Sequence, residues 1–118
     1  MKAAKPMRLV VGISGSSAPQ LGIRLLERLR HHPDVETHLV VSNGARRSIE
    51  LEAGVEVDYV EKLATVSYSP TDLAAAISSG SFVTAGMVVI PCSMRSLSAI
   101  ATGNTADLLT RAADVTLK

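Results

Sequence analysis

GISGSSAPQLG, residues 12–22, stands between an apolar run and a leucine-rich segment, and its reading decides the fold. Before it, RLVVGI (residues 8–13) is short and rich in β-branched residues, as a buried strand is; after it, Leu21, Leu25 and Leu29, with Leu26 beside them, recur at helical spacing. Strand, turn and helix follow one another. The turn gathers three glycines and three serines. It is either a plain connection, because glycine and serine are ordinary loop formers, or an anion site, because free N–H groups at a helix start and nearby hydroxyls aim donors at whatever sits above them. The spacing of G-x-G-x-x-G and the Gly-Lys-Ser/Thr of a P-loop are both missing, so the turn alone leaves both readings open.

The unit recurs along the chain. VETHLVVS (35–42) reads as a second strand, and NGARRSIELEAG after it as a helix that stops at Gly54. Residues 57–68 form a weaker, extended segment. Ser69-Pro70-Thr71-Asp72 then offers an N-cap, a proline at the first helical position and an acid at the capping-box position, predicting a helix over LAAAISS that closes at Gly80. GMVVIP (86–91) is the most apolar strand candidate and reads as buried; CSMRSLSAIATG places Leu97, Ile100 and Ala101 on one helical face before Gly103. Thr105 is positioned to cap a last helix in which Leu108, Leu109, Ala112 and Val115 share a face. Strands alternating with helices imply a largely parallel sheet with helices on both faces. Ligands in such folds bind outside the C-terminal ends of the strands, where strand order reverses. Three turns lie at such ends: the first, VVSNG (40–44) and IPCSMRS (90–96).

Composition narrows the function. With 118 residues, 47% of them apolar, the chain is long enough for one domain and too short for two. Twelve basic and eleven acidic residues leave a formal charge of +1, and no basic run exceeds Arg46-Arg47, so no electrostatic footprint for nucleic acid or an anionic membrane is visible. The N-terminal MKAAKPM lacks the about 7–15 apolar residues of a signal peptide, and no apolar run approaches the about 20 needed to cross a bilayer. A single cysteine, Cys92, forms no internal disulfide and fits a reducing compartment, so a cytoplasmic location is expected.

Ser14, Ser16, Ser17, Ser42, Asn43, Ser93 and Ser96 could converge on one phosphate or polar ring at the shared sheet edge. The other candidates have plainer readings. His31, His32 and His38 share no metal-ligand spacing. Cys92 reads as a packed, inert thiol, Glu50 and Glu52 as a solvated helix face, and Arg111 as equally a surface ion-pair partner or a ligand contact.

Taken together, VVGISGSSAPQLGIRLLE (10–27), VETHLVVS (35–42), AAAISSGSF (74–82), GMVVIPCSMRSLSAIATG (86–103) and LLTRAADVTLK (108–118) resemble the UbiX-like flavin prenyltransferases, a group also known as one component of the phenolic or hydroxyarylic acid decarboxylases. The resemblance runs in register from about residue 8 to the last residue, and the PCSM and RAAD blocks are its most specific parts. It implies a flavodoxin-like (Rossmann-like) three-layer α/β fold with a mostly parallel sheet. A short flexible tail over residues 1–6 would precede a single FMN-binding domain over residues 7–118. Family members continue beyond the match by roughly two further strand–helix units. The chain is therefore expected to hold the N-terminal portion of the fold, truncated at its C-terminus.

The implied activity joins a dimethylallyl group from dimethylallyl phosphate to reduced FMN, without a metal, and supplies the prenylated cofactor to a UbiD-type decarboxylase. FMN would sit at subunit interfaces of a homo-oligomer, a dodecamer by resemblance. By position, Gly15, Ser16 and Ser17 match the flavin-binding turn, with Ser17 as the catalytic hydroxyl, and Ser42 the flavin-contacting serine after the second strand. Ser93, Met94, Arg95 and Ser96 match the flavin-binding segment after the proline-cysteine pair. Glu52 falls where the family has an acid implicated in proton transfer, and Lys118 where it has a lysine that meets the allylic phosphate. The family turn reads Gly-Ala-Ser-Gly where this chain has Gly15-Ser16-Ser17-Ala18, so a positive φ at position 18 would be strained by the Cβ. Two other classes compete: a non-catalytic FMN-binding module, and a flavin-dependent decarboxylase of the phosphopantothenoylcysteine type.

Overall fold

The computed structural model describes residues 5–118. Four strands, β1 (Met7–Ile13), β2 (Val35–Val41), β3 (Val66–Tyr68) and β4 (Gly86–Val89), form one parallel sheet in the order β3-β2-β1-β4. Five helices flank it: α1 (Gln20–Leu29), α2 (Asn43–Ser48), α3 (Val57–Leu63), α4 (Met94–Thr102) and α5 (Leu108–Leu117). The first four positions of the tail expected over residues 1–6 lie outside the described residues; Lys5 and Pro6 are exposed.

Strand alternation divides the core in two. Val11 and Ile13 of β1, with Leu39 and Val41 of β2, face Ile23 and Leu26 of α1, Ala45 and Ile49, and Val57, Val60 and Leu63 of α3. Val10 and Val40 face the other way, onto Leu108, Leu109 and Ala112 of α5 and onto Ala75 and Ile77. The result is a three-layer α/β domain. Each fully buried leucine, such as Leu26 or Leu109, contributes about 1.5–3 kcal/mol.

Four local expectations change. Residues 57–63 are the helix α3 rather than extended chain, because Val57, Val60 and Leu63 bury one helical face although their β-branched members favour strand locally; only Val66–Tyr68 pairs as β3. The helix expected over LAAAISS shrinks to a 3₁₀ turn at Ala76–Ser78. Here Asp72 accepts from the Ala74 N–H, and the Ser78 hydroxyl donates to the Ala75 carbonyl, so polar side chains compete with the helical ladder. The last helix is capped by Asp107, not Thr105: Asp107 Oδ1 accepts from the Thr110 N–H at 2.9 Å, and Thr110 Oγ1 accepts from the Asp107 N–H at 3.3 Å. Finally β4, read as buried, is half-exposed along its whole length, because it is an edge strand in the described sheet. Helix α4 has no buried residue, and Leu97 is half-exposed.

Helix α1 buries Gly22, Ile23 and Leu26 and leaves Leu21 exposed. A Cβ at position 22 would strike the carbonyl oxygen of Ile90 and the side chain of Ile13, so glycine is what lets α1 lie against the end of the sheet.

One polar network crosses the α5 face. His38, 3% exposed, has Nδ1 2.8 Å from the Tyr68 hydroxyl and Nε2 2.6 Å from Glu36 Oε1. A neutral imidazole that donates from Nε2 and accepts at Nδ1 uses both ring nitrogens and the phenolic proton. Arg8 lies 3.5 Å from the same carboxylate and 4.3 Å above the Phe82 ring. Burial, then the charge of Glu36, raises the Tyr68 pKa above its ordinary value, against the opposing pull of Arg8. The network ties the three-residue β3 to β2.

The first turn contains the only positive φ at a non-glycine residue among the described residues: Ala18, at 63°. A left-handed alanine costs about 1–2 kcal/mol, and glycine's extra freedom in the unfolded chain offsets about 0.4–1 kcal/mol of any relief. Ala18→Gly is therefore expected to stabilise the chain by about 0.5–1 kcal/mol in urea unfolding. No gain would mean that the turn has settled around the methyl group.

Candidate functional site

Strand β1 lies between β2 and β4, and the chain changes direction across the sheet between them. The turns that leave β1, β2 and β4 therefore open at one edge, at the reversal of strand order. An open cleft of about 490 Å³ lies among them, within the range of small-molecule sites. Gly15 supplies the wall after β1, Ser42, Asn43 and Gly44 the wall after β2, and Ser93, Arg95 and Ser96 the wall after β4. Ala99 of α4, with Asn104, Ala106, Asp107 and Thr110 from the α4–α5 connection and α5, closes the remaining side.

The turns meet by backbone approach. A Cβ on Gly15 would lie 2.9 Å from the carbonyl carbon of Gly44 and 3.1 Å from its Cα, so the first two turns touch only because Gly15 has no side chain.

Two of the serines cap helices that point at the cleft. Ser42 Oγ accepts from the Ala45 N–H and Ser93 Oγ from the Ser96 N–H, each at 3.1 Å. A hydroxyl that accepts still has its own proton to give, so both retain a donor toward the cleft. Arg95 is exposed and adds the one full positive charge among the lining residues. Asp107, the one carboxylate there, is engaged by Thr110.

Gly15, Ser42, Ser93, Arg95 and Ser96 thus come together as the sequence suggested. Ser16 and Ser17 stay in the first turn beside them, Ser17 exposed, and Met94 opens α4 with its side chain exposed; none of the three lines the cleft. Glu52 is exposed on a π-helical turn (Ile49–Ala53), and its carbonyl accepts from Gln20 Nε2 at 3.1 Å, which holds that turn against the start of α1. Lys118 is far from this group. It pairs with Asp114 at 3.1 Å, beyond the end of α5 away from the cleft, about 12 Å along the helix axis from Thr110. Ser14, grouped by sequence with the ligand-facing hydroxyls, is fully buried and bonded internally. Arg111 is exposed and forms no ion pair among the described residues.

Sequence reading missed Asn104, Ala106, Asp107 and Thr110. The Asp-x-x-Thr capping pattern at residues 107–110 was the available signal.

Residues 2–118 match the Flavoprotein family. Over 112 residues the chain is 59% identical to a probable UbiX-like flavin prenyltransferase of Sedimentibacter hydroxybenzoicus, covering 95% of this chain and 59% of that protein. The fold superposes on the crystal structure of a dodecameric FMN-dependent UbiX-like decarboxylase from Escherichia coli O157:H7 with a TM-score of 0.93 and 51% identity, covering 94% of this chain and 61% of that one. AnUbiX (PadA1), solved in complex with FMN and dimethylallyl pyrophosphate, gives a TM-score of 0.92 at 43% identity, covering 96% and 60%. The chain spans about six-tenths of the length of these proteins.

Gly15→Ala forces a methyl group onto backbone rather than onto a movable side-chain end. Overpacking of this kind costs about 1–3 kcal/mol, and the loss should appear in urea unfolding, with faster amide exchange at residues 43–45 as the turns part. Unchanged stability would show that the two turns do not depend on their contact.

Proposed function

The chain belongs to the Flavoprotein family, and from that premise we propose that residues 7–118 form a single FMN-binding domain of a UbiX-like flavin prenyltransferase. The reaction is transfer of a dimethylallyl group from dimethylallyl phosphate to reduced FMN. The observation that carries this reading is the cleft itself, where three strand-end turns place Gly15, Ser42, Ser93, Arg95 and Ser96 around one space of about 490 Å³.

The donor set suits an anionic, ring-bearing cofactor. Ser42 and Ser93 would donate their free hydroxyl protons, Arg95 would balance phosphate charge, and the bare backbone at Gly15 and Gly44 would admit a flat group closely. Ser16 and Met94 would extend these contacts at the rim. When bound, reduced FMN supplies the electron-rich ring that accepts the allylic carbon. The chain must stabilise the separating phosphate and hold a proton acceptor nearby, which are roles for fixed donors in a water-poor pocket. Ser17, in the turn before α1, is assigned the hydroxyl beside the reacting centre. Glu52, fastened to the same helix start through Gln20, is assigned proton transfer.

Lys118 is assigned to the allylic phosphate. Its distance along α5 from the cleft of its own chain means that it would serve the cleft of a neighbouring copy. A homo-oligomer follows, and one of the structural neighbours is described as dodecameric. The reading also includes a UbiD-type decarboxylase as consumer of the product, and the cytoplasm as location, in keeping with a lone unpaired cysteine, Cys92. No helix of the described residues is long and apolar enough to cross a membrane.

The placement of Glu52 and Lys118 outside the cleft favours one second reading, an FMN-binding module that does not catalyse by itself. Mass spectrometry of the protein incubated with reduced FMN and dimethylallyl phosphate separates the two: a prenylated flavin supports transfer, bound but unmodified FMN supports the module, and no bound FMN removes both. Ser17→Ala is expected to leave FMN affinity within about tenfold, since one neutral hydrogen bond is worth about 0.5–1.5 kcal/mol. Prenyl transfer should fall about 100-fold, because a donor aimed at developing charge is worth more. Equal losses in both would make Ser17 an ordinary ligand contact.

A further inference from the structure

The first turn holds the third through one side chain. Ser14 is 0% exposed, at the end of β1 and directly before Gly15. Its backbone N–H donates to the Pro91 carbonyl at 3.1 Å, and its hydroxyl donates to the same oxygen at 3.0 Å. The hydroxyl oxygen also accepts from the Ser93 N–H at 2.7 Å. Donor and acceptor capacity are both used within the protein, across 77 and 79 residues of chain.

The residue it grips matters more than the grip. Ser93 caps α4 and carries one of the two free donors toward the cleft, and Arg95 and Ser96 follow in the first turn of that helix. Helix α4 has no fully buried residue, and it packs on the core through the partly buried Ile100 in its last turn rather than through its start. The segment joining it to β4 is half-exposed, so the start of α4 is held by the polar tether at Ser14, where α1 has the buried Ile23 and Leu26.

We infer that Ser14 is a positioning residue for this site: it touches no ligand, and it fixes Ser93 and the start of α4 relative to the first turn. The alternative of a ligand-facing hydroxyl conflicts with its complete burial. A general packing role would affect the whole sheet, whereas removal of the hydroxyl unpairs the Ser93 N–H and leaves the Pro91 carbonyl only its bond from the Ser14 N–H, both within the β4–α4 turn. The inference rests on the proposed flavin site only in what the positioned groups bind, not in the tether itself.

The test has a ligand-free and a ligand-bound arm. In the ligand-free protein, Ser14→Ala should speed amide exchange at Ser93 by about tenfold, the factor of one neutral hydrogen bond, with α1 and β2 amides unchanged. In the second arm, a fluorescence titration should show FMN affinity falling by a similar factor, and Ser14→Thr, which keeps the hydroxyl, should restore both. If Ser14→Ala does not fold, Ser14→Cys, of similar size and with only a weak donor, carries the same comparison. Unchanged Ser93 exchange, or equal acceleration throughout the sheet, would overturn the inference. Failure of the unaltered protein to bind FMN would instead overturn the proposed function, leaving the exchange result to decide the tether.

Discussion

The cleft depends on β1 having a parallel neighbour on each side. It pairs with β2 from Met7↔Val35 to Ile13↔Val41 and with β4 from Leu9↔Gly86 to Gly12↔Val89. Parallel pairing brings all the strands to their C-terminal ends at the same edge, and it requires a crossover between each pair. The apolar residues in the C-terminal parts of β1 and β2 supply the driving force, since Val10, Val11, Ile13, Leu39, Val40 and Val41 are buried under helices on one face or the other. What remains at the edge is short-range: Gly15 against Gly44, and Ser14 against Pro91 and Ser93. Hydrophobic burial sets the coarse position of the three turns, and two adjacent residues set the fine one.

The same edge explains a choice of chemistry. Apart from Arg95 the donors facing the cleft are neutral, and two of them are hydroxyls whose orientation is fixed by a helix N–H. Such groups have little rotational freedom left to lose when they meet a ligand. They are also less costly to desolvate than ammonium groups.

Much of this was legible in the residues. β1, β2, β4, α1 and α4 follow from period and composition, and the helical stretches ending at Gly54 and Gly103 do stop there, with φ of 67° and 72°. β3 was not separable from α3, because three residues are too few to display a period and the preceding valines favour extended chain. The 69–80 segment failed differently: its capping residues are real, but they satisfy turn amides, and the apolar pair Ala75 and Ile77 is buried without a helix. At the site, residue type and sheet-edge position pointed to Ser42, Asn43, Ser93 and Ser96, which line the cleft, while Gly15 and Arg95 came from the family resemblance. No sequence signal showed that Ser14 turns inward while its neighbours do not, or which end of α5 faces the cleft. Both are set by tertiary contacts, the first by Pro91 and Ser93 and the second by the packing of Leu108, Leu109 and Ala112 on Val10 and Val40.

The π-helical turn at Ile49–Ala53 follows directly on α2, so the two form one helical run with a locally widened loop. A widened turn of this kind is geometrically an α-helix that has absorbed one additional residue. Removing that residue would let regular winding continue to Gly54 with the flanking turns left nearly in register, because the widened loop absorbs its extra residue locally. The contact between the Glu52 carbonyl and Gln20 lies inside the widened loop and would go with it, while Ala45 and Ile49 kept their places in the core. The brace between this loop and the start of α1 is therefore set by one residue of chain length, independently of the residues that build the sheet edge.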